Sequence, residues 1–61
     1  MNEERILNAI THWIGCDKET AKMIFNGVWS FDGDNYSAYL TKDDKLEICK
    51  NGFPIHRLIM G

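Results

Sequence analysis

Three short turn sequences divide the second half of the chain into segments in which apolar and polar side chains alternate. They are Asp32–Gly33, the run Thr41–Lys45 and Asn51–Gly52. Asp-Gly and Asn-Gly between alternating segments are strong signals of β-hairpins, because both central residues of a type I′ turn need positive φ. The pattern therefore predicts an antiparallel meander of three or four strands that begins after Gly27.

The alternation also predicts which side chains share a face of this sheet. The face that would pack on a core carries Trp29, Phe31, Tyr36, Ala38, Leu40, Leu46, Ile48, Phe53, Ile55 and Ile59. The opposite face would carry Val28, Ser30, Ser37, Tyr39, Glu47, Cys49, His56, Leu58 and Met60. A solvated sheet face is normally more polar than this second set, so Tyr39, Leu58 and Met60 predict an apolar contact surface for a partner.

The last segment, residues 53–60, has two interpretations. As a strand it would lie at the edge of the sheet, because Pro54 has no N–H to donate to a neighbouring strand. As a short helix over residues 54–60 it would align Ile55, Leu58 and Ile59, whose spacing also suits a helix.

Residues 3–14 are predicted to form a first helix. Its apolar stripe comprises Ile6, Leu7, Ile10, Trp13 and Ile14. Asn2 is suited to cap its start, and Gly15 is suited to the left-handed conformation that ends many helices. Trp13 and Trp29 are both interpreted as core residues where helix meets sheet.

Residues 18–26 are predicted to form a second helix. Asp17 is a good N-cap, Asn26–Gly27 ends the helix, and Ala21, Ile24 and Phe25 make its inward face. The predicted fold class is α+β: two N-terminal helices packed on one face of a three- to four-stranded antiparallel meander, in a single domain spanning residues 1–61.

The turn and second helix, "IGCDKETAKMIFNG", carry a glycine at the turn, a polar cap, a threonine after it and a closing Asn-Gly. In these features residues 14–27 resemble the turn and second helix of helix-turn-helix repressors, on Gly15, Asp17, Thr20, Ile24, Asn26 and Gly27. The resemblance implies DNA binding by Lys18, Glu19, Lys22 and Met23, with the following hairpin as a wing. The same residues also suit an ordinary helical corner in which Gly15 and Asp17 are the caps.

Charge favours a protein partner over DNA. The 61 residues carry a net charge of −2, and basic and acidic residues are mixed along the chain without a basic patch. Four aspartates, Asp32, Asp34, Asp43 and Asp44, lie at two predicted hairpin tips. They are interpreted either as turn-forming, solubilising residues or as an acidic surface for a basic partner such as a nucleic-acid-handling protein.

The functional prediction is a small non-enzymatic protein that docks on a protein partner and occludes it. The partner is either another protein or a second copy of the chain. Size and acidity give an analogy with phage and mobile-element inhibitors of host factors. Neither a phosphate-binding glycine loop nor a strained nucleophile turn is present in the sequence, so no enzyme activity and no cofactor are expected. The absence of a signal-peptide pattern and of a long apolar run predicts a cytoplasmic location and no membrane partner.

Metal binding is also not expected. Asp32 and Asp34 flank Gly33 in an order that differs from that of a calcium-binding EF-hand loop. The soft ligands His12, Cys16, Cys49 and His56 match a structural zinc site in number but not in spacing. Two cysteines cannot form a disulfide framework. They are either free thiols, bridged to each other or bound to a metal.

This leads to a first prediction. Purified protein should contain less than about a tenth of an equivalent of zinc per chain, because the four ligands lack a zinc-site spacing. Metal analysis by atomic emission measures this, and a content near one equivalent would contradict the prediction.

Overall fold

The computed structural model describes residues 3–60, so the predicted cap at Asn2 lies outside the described residues. The elements follow in chain order as α1 (Glu3–Ile10), a π-helical turn (Thr11–Gly15), α2 (Lys18–Asn26), β1 (Trp29–Phe31), β2 (Asp34–Leu40), β3 (Lys45–Lys50) and β4 (Phe53–Ile59). The strands form one antiparallel sheet in the order β1-β2-β3-β4, so the α+β class and the meander are confirmed. The helical interpretation of residues 54–60 is wrong, and β4 is an edge strand as Pro54 predicted.

All three predicted turns are present, and each has the backbone that its sequence favours. Asp32 and Gly33 have φ of 53° and 84°, and Asn51 and Gly52 have 53° and 83°, as type I′ turns require. In the middle turn Asp44 has φ of 58°, and the Thr41 N–H donates to the Lys45 carbonyl at 2.9 Å. These turns fix the start of each pairing, so the faces of β2 and β3 agree with the sequence prediction.

Residues from both helices and from the sheet form one hydrophobic core. The registers Ala38↔Ile48 and Leu40↔Leu46 place these four side chains on one side of the sheet, called the core face below. The buried core members are Ile6, Leu7, Ile10, Ala21, Ile24, Ala38, Leu46, Ile48 and Met60. Asp17 caps α2 by accepting a hydrogen bond from the Thr20 N–H at 2.8 Å, as the sequence predicts.

A β-bulge between Ile48 and Cys49 reverses the predicted faces of β4. Cys49 pairs with Pro54, whereas its neighbour Ile48 pairs with His56, so β4 has one extra residue at this point. A shift of one residue moves every later side chain to the other face. Leu58 therefore lies opposite Leu46 on the core face, and Met60 is only 6% exposed.

The three β4 residues predicted for the core are exposed instead. The bulge accounts for Ile55 and Ile59, whereas Phe53 precedes the bulge and pairs with Lys50. Ile59 pairs with Lys45 and is 76% exposed, Ile55 is 42% exposed, and Phe53 at the start of the strand is 74% exposed. The prediction of a core position for these three residues is wrong. So is the prediction that His56, Leu58 and Met60 lie beside Tyr39. By register, the second face of the sheet carries Ser37, Tyr39, Glu47, Cys49, Arg57 and Ile59.

The first helix also departs from its predicted form near its end. The α-helical pattern stops at Ile10, and the chain continues in a π-helical turn up to Gly15, which has φ of 79°. The Thr11 hydroxyl donates to the Asn8 carbonyl at 2.8 Å, a contact that competes with regular helix bonding. Because a π turn is wider than an α turn, Trp13 rotates off the apolar stripe. It is 45% exposed, so its predicted core position is wrong.

The outward position of Ile59 can be tested by making the same substitution at a buried and at an exposed isoleucine. Ile48→Val should lower the free energy of unfolding by about 0.5–1.5 kcal/mol, since it removes a fully buried methylene. Ile59→Val makes the same chemical change at an exposed position and should cost less than about 0.5 kcal/mol. Urea unfolding followed by circular dichroism measures both, and equal losses would contradict the pairing of Ile59 with Lys45.

Candidate functional site

Exposed apolar side chains are concentrated on β4. Phe53, Ile55 and Ile59, called the β4 strip below, all belong to this edge strand and are all substantially exposed. On the second face, Tyr39 is about half exposed as well. Scattered exposed apolar residues are normal on a protein surface, but three on one seven-residue edge strand make this strand a candidate for contact with a partner.

The middle of the second face is a hydrogen-bonded network on three adjacent strands. The Tyr39 hydroxyl donates to Glu47 Oε1 at 3.0 Å, and Arg57 Nε lies 3.3 Å from Glu47 Oε2. Registers Tyr39↔Glu47 and Glu47↔Arg57 place the three residues side by side. Glu47 is almost fully buried, whereas Arg57 is mostly exposed. A buried carboxylate needs partners, and Glu47 finds them in the Tyr39 hydroxyl and the Arg57 side chain.

The two cysteines are free thiols in different settings. Cys49 lies next to this network and is buried, and burial raises the pKa of its thiol, with the Glu47 charge adding to the effect. Burial is also the main cause that raises the pKa of the half-buried Cys16 thiol, followed by the charge of Asp17. A thiol of raised pKa holds its proton at neutral pH and is a poor nucleophile. The geometry therefore offers no activated cysteine among the described residues.

The four aspartates do not form one acidic surface. Asp32 and Asp34 lie at the turn between β1 and β2, and Asp43 and Asp44 lie at the turn between β2 and β3. Strand β2 separates these ends by roughly 20 Å, at about 3.3 Å per residue.

Two of these carboxylates are also paired. Asp34 accepts from Asn51 Nδ2 at 3.0 Å and lies 3.7 Å from Lys50 Nζ. Asp43 accepts from the Thr41 hydroxyl and lies 3.3 Å from Lys45 Nζ, and hydrogen bonds from Thr41 and Lys45 lower its pKa. The geometry of Asp34 and Asp43 thus matches turn-forming chemistry, and each end of the sheet offers only a small negative charge.

Sequence reasoning placed Leu58 and Met60 in the contact surface and missed Ile55 and Ile59, and the bulge explains both errors. The signal that could have located the bulge is Pro54. A proline in a strand occurs at an edge, at the first position or at a bulge, and Pro54 is the second residue of β4. Tyr39 is the one apolar contact residue predicted from the sequence that the structure places at the surface.

The residues implied by the helix-turn-helix resemblance lie on or near α2. Lys18 Nζ forms an ion pair with Glu4 at 2.6 Å, and Lys22 lines a shallow depression together with Glu3, Glu4, Leu7 and Lys18. Glu19 and Met23 are exposed. The two lysines therefore share their surroundings with acidic residues of α1, which reduces the positive potential that α2 presents.

A cleft separates the helical corner from the first hairpin. It has a volume of about 360 Å³, and its lining residues are Ile14, Gly15, Cys16, Asp17, Thr20, Trp29, Phe31 and Tyr36. Trp29 packs against the core, but Phe31 is exposed, so the predicted core position of Phe31 is wrong. Two of the aromatic lining residues belong to the three-residue strand β1, and Gly15, Cys16 and Asp17 belong to the corner that precedes α2.

The described part of the chain has neither a metal cluster nor a membrane-spanning helix. Within residues 3–60, no group of three or more His, Cys, Asp or Glu side chains is arranged to hold a metal ion. The His56 ring instead lies 4.5 Å from the Trp13 ring, which also has His12 as an edge-on neighbour at 5.2 Å. None of the helices in these residues is long and apolar enough to cross a membrane.

In comparisons with known proteins, no family model, no curated protein and no solved structure matches this chain.

The network on the second face can be tested through Tyr39. The hydrogen bond to Glu47 raises the pKa of the Tyr39 hydroxyl above its ordinary value, with burial as a second cause. In a Tyr36→Phe background, where Tyr39 is the only tyrosine, ultraviolet titration should give a pKa above about 10. Adding Glu47→Gln should bring the value down, because the carboxylate charge is removed.

The sign of the stability effect follows from the raised pKa. Protonated Tyr39 stabilises the fold fully below the pKa of the unfolded state, about 10, and this contribution is lost as the pH rises through the folded-state pKa. The difference in stability between wild type and Tyr39→Phe should therefore shrink across that alkaline window. A Tyr39 pKa that Glu47→Gln leaves unchanged would contradict the network.

Proposed function

We propose that this protein is a non-enzymatic binding domain that docks on another protein through the β4 strip and the adjoining second face, and blocks the surface that it covers. The observation that carries the proposal is the exposure of Phe53, Ile55 and Ile59 on one edge strand. Apolar side chains at a free strand edge favour association, which monomeric proteins usually prevent with charges on that strand.

In this proposal, one face of the sheet packs on the helices and the other contacts the partner. Both helices cover the core face, since their buried residues Ile6, Ile10 and Ile24 belong to the same core as Leu46 and Ile48. Tyr39 and Arg57 are then left on the opposite side. There the Glu47 carboxylate holds both side chains, so they are preorganised for contact with a partner. Tyrosine and arginine are among the residues that most often dominate binding energy at interfaces.

The edge of β4 offers a second element of recognition. Its inner side pairs with β3, and its outer side has no strand partner within residues 3–60. Pro54 and the bulge interrupt the ladder at the start of β4, so a regular free edge remains only toward Ile59. A strand from the partner would add to this part of the sheet, while the β4 strip supplies apolar contacts.

A second candidate function is DNA binding by a repressor-like helix-turn-helix with the β1–β2 hairpin as a wing. The Asp17 cap of α2 and the left-handed Gly15 before it are compatible with this function, as they are with an ordinary helical corner. The pairing of Lys18 with Glu4 and the carboxylate of Asp32 at the wing tip favour the protein-docking proposal instead.

Two charge substitutions at exposed apolar residues separate these functions. Ile59→Glu should abolish capture of the partner from extracts of the source cell, because it places a charge in the proposed apolar contact. Met23→Glu makes the same change on α2 and should leave capture unaffected. Both residues are exposed, so both variants should retain the wild-type circular dichroism spectrum.

Binding to random duplex DNA at low salt tests the second function. A helix-turn-helix would bind with a Kd tighter than about 10 μM that weakens steeply with salt, and Met23→Glu and Lys22→Glu would weaken it further. For the docking protein we expect no DNA binding.

Sedimentation distinguishes a second copy of the chain from a different protein as the partner. Self-association that is lost in Ile59→Glu identifies a second copy of the chain as the partner. Partner capture that survives Ile59→Glu would overturn the proposal.

A further inference from the structure

The cleft between the helical corner and the first hairpin has one aromatic wall. The Trp29 and Phe31 rings are stacked nearly parallel, with centroids 5.2 Å apart and planes at 9°. The Tyr36 ring lies 5.7 Å from Trp29 at an angle of 36°. Such rings carry partial negative charge on their faces and attract either another planar ring or a cation. Phe31 is exposed, whereas Trp29 and Tyr36 are partly buried.

The opposite wall supplies a full negative charge. Asp17 lines the cleft beside Thr20, and its Oδ1 accepts the Thr20 N–H as the cap of α2. Hydrogen bonds from Thr20 lower the pKa of this carboxyl group, so it is ionised at neutral pH. One hydrogen bond uses only part of the acceptor capacity of a carboxylate, which has about four lone-pair positions.

The lining contains no compensating positive side chain. Among the eight residues that line the cleft there is no lysine, arginine or histidine, and the Cys16 thiol is kept neutral by burial. An aromatic wall, an ionised carboxylate and no cation are complementary to a positively charged ligand. The volume of about 360 Å³ exceeds what a single metal ion fills, and carboxylate ligands for one are lacking beyond Asp17.

We propose that this cleft binds an arginine side chain of the protein partner. The planar guanidinium stacks on the ring ladder of Trp29 and Phe31 while its N–H groups donate to the Asp17 carboxylate. Arginine combines stacking on aromatic faces with bidentate pairing to a carboxylate, and lysine cannot do both. This inference rests on the proposed function for the source of the arginine, and it extends the docking surface from β4 to the β1 edge of the sheet. The cleft itself is testable without the partner.

The probe is N-acetyl-arginine amide, and its control is N-acetyl-citrulline amide, which has nearly the same shape without the charge. Titration into ¹⁵N-labelled protein should shift the Trp29 indole N–H with a Kd in the low millimolar range, about −3 to −4 kcal/mol. The Trp13 indole lies outside the cleft lining and should not move. Citrulline amide should bind at least about fivefold more weakly, as expected for the loss of an exposed ion pair.

Two variants complete the test. Asp17→Asn removes the charge but keeps a good helix cap, so the fold is retained and arginine amide should bind about fivefold more weakly. Asp43→Asn makes the same change at the far end of the sheet and should leave binding unchanged. Absence of a Trp29 shift at about 50 mM arginine amide overturns the proposal. Equal binding of citrulline amide, or no effect of Asp17→Asn, overturns it as well.

Failure of this inference and failure of the docking function give different results. If arginine amide binds nowhere but Ile59→Glu still abolishes capture of the partner, the docking function stands and the arginine site does not exist. If arginine amide binds as expected but Ile59→Glu captures normally, the cleft is a cation site and the β4 strip is not the docking surface.

Discussion

One extra residue in β4, opposite Cys49, determines which side chains close the core of this small protein. Because it shifts the register, Leu58 packs on the core and Met60 is buried with it. A chain of this length buries only about 60% of the surface that its unfolded form exposes, so each core contribution matters. The same shift turns Ile59 outward. The bulge therefore controls both the stability of the fold and the composition of its exposed edge.

The remainder of the architecture depends on short-range signals that agree with one another. Asp17 caps α2, and residues with positive φ occupy each hairpin turn. Strand β3 lies between two partner strands and is buried on both sides, with Leu46 and Ile48 toward the core and Glu47 and Cys49 toward the second face. Burial of Glu47 is tolerated because Tyr39 and Arg57 satisfy its carboxylate.

Local chemistry explains which parts of the fold could be predicted from the sequence. The boundaries of α2, the turns and the faces of β2 and β3 follow from caps, Asp-Gly and Asn-Gly pairs, and alternation. The face of β4 could not be predicted in this way, because the extra residue of the bulge reverses the inward and outward positions of the residues that follow it. Only Pro54 indicates the bulge in the sequence. The core position of Trp13 was predicted wrongly for a similar reason. The apolar stripe was based on regular α-helical spacing, and the π turn changes the angle between successive residues.

The candidate sites were less predictable than the fold, because they depend on residues brought together from distant positions. Tyr39 could be identified as a surface aromatic, but its link to Arg57 through Glu47 requires the registers of three strands. The cleft joins Asp17 to Trp29 and Phe31, which have separate local roles as a helix cap and as strand residues. No spacing in the sequence indicates that the cap and the aromatic rings share a cavity.

The buried position of Cys49 makes its thiol a reporter of the separation of β3 from its neighbouring strands. Its thiol is buried near the end of the inner strand β3, whereas the Cys16 thiol is partly accessible at the helical corner. An alkylating reagent would modify Cys16 in the native protein but reach Cys49 only when β3 separates from its neighbours. The slower of the two reactions would then follow the population of the open sheet when opening is fast, and the rate of opening when labelling is faster.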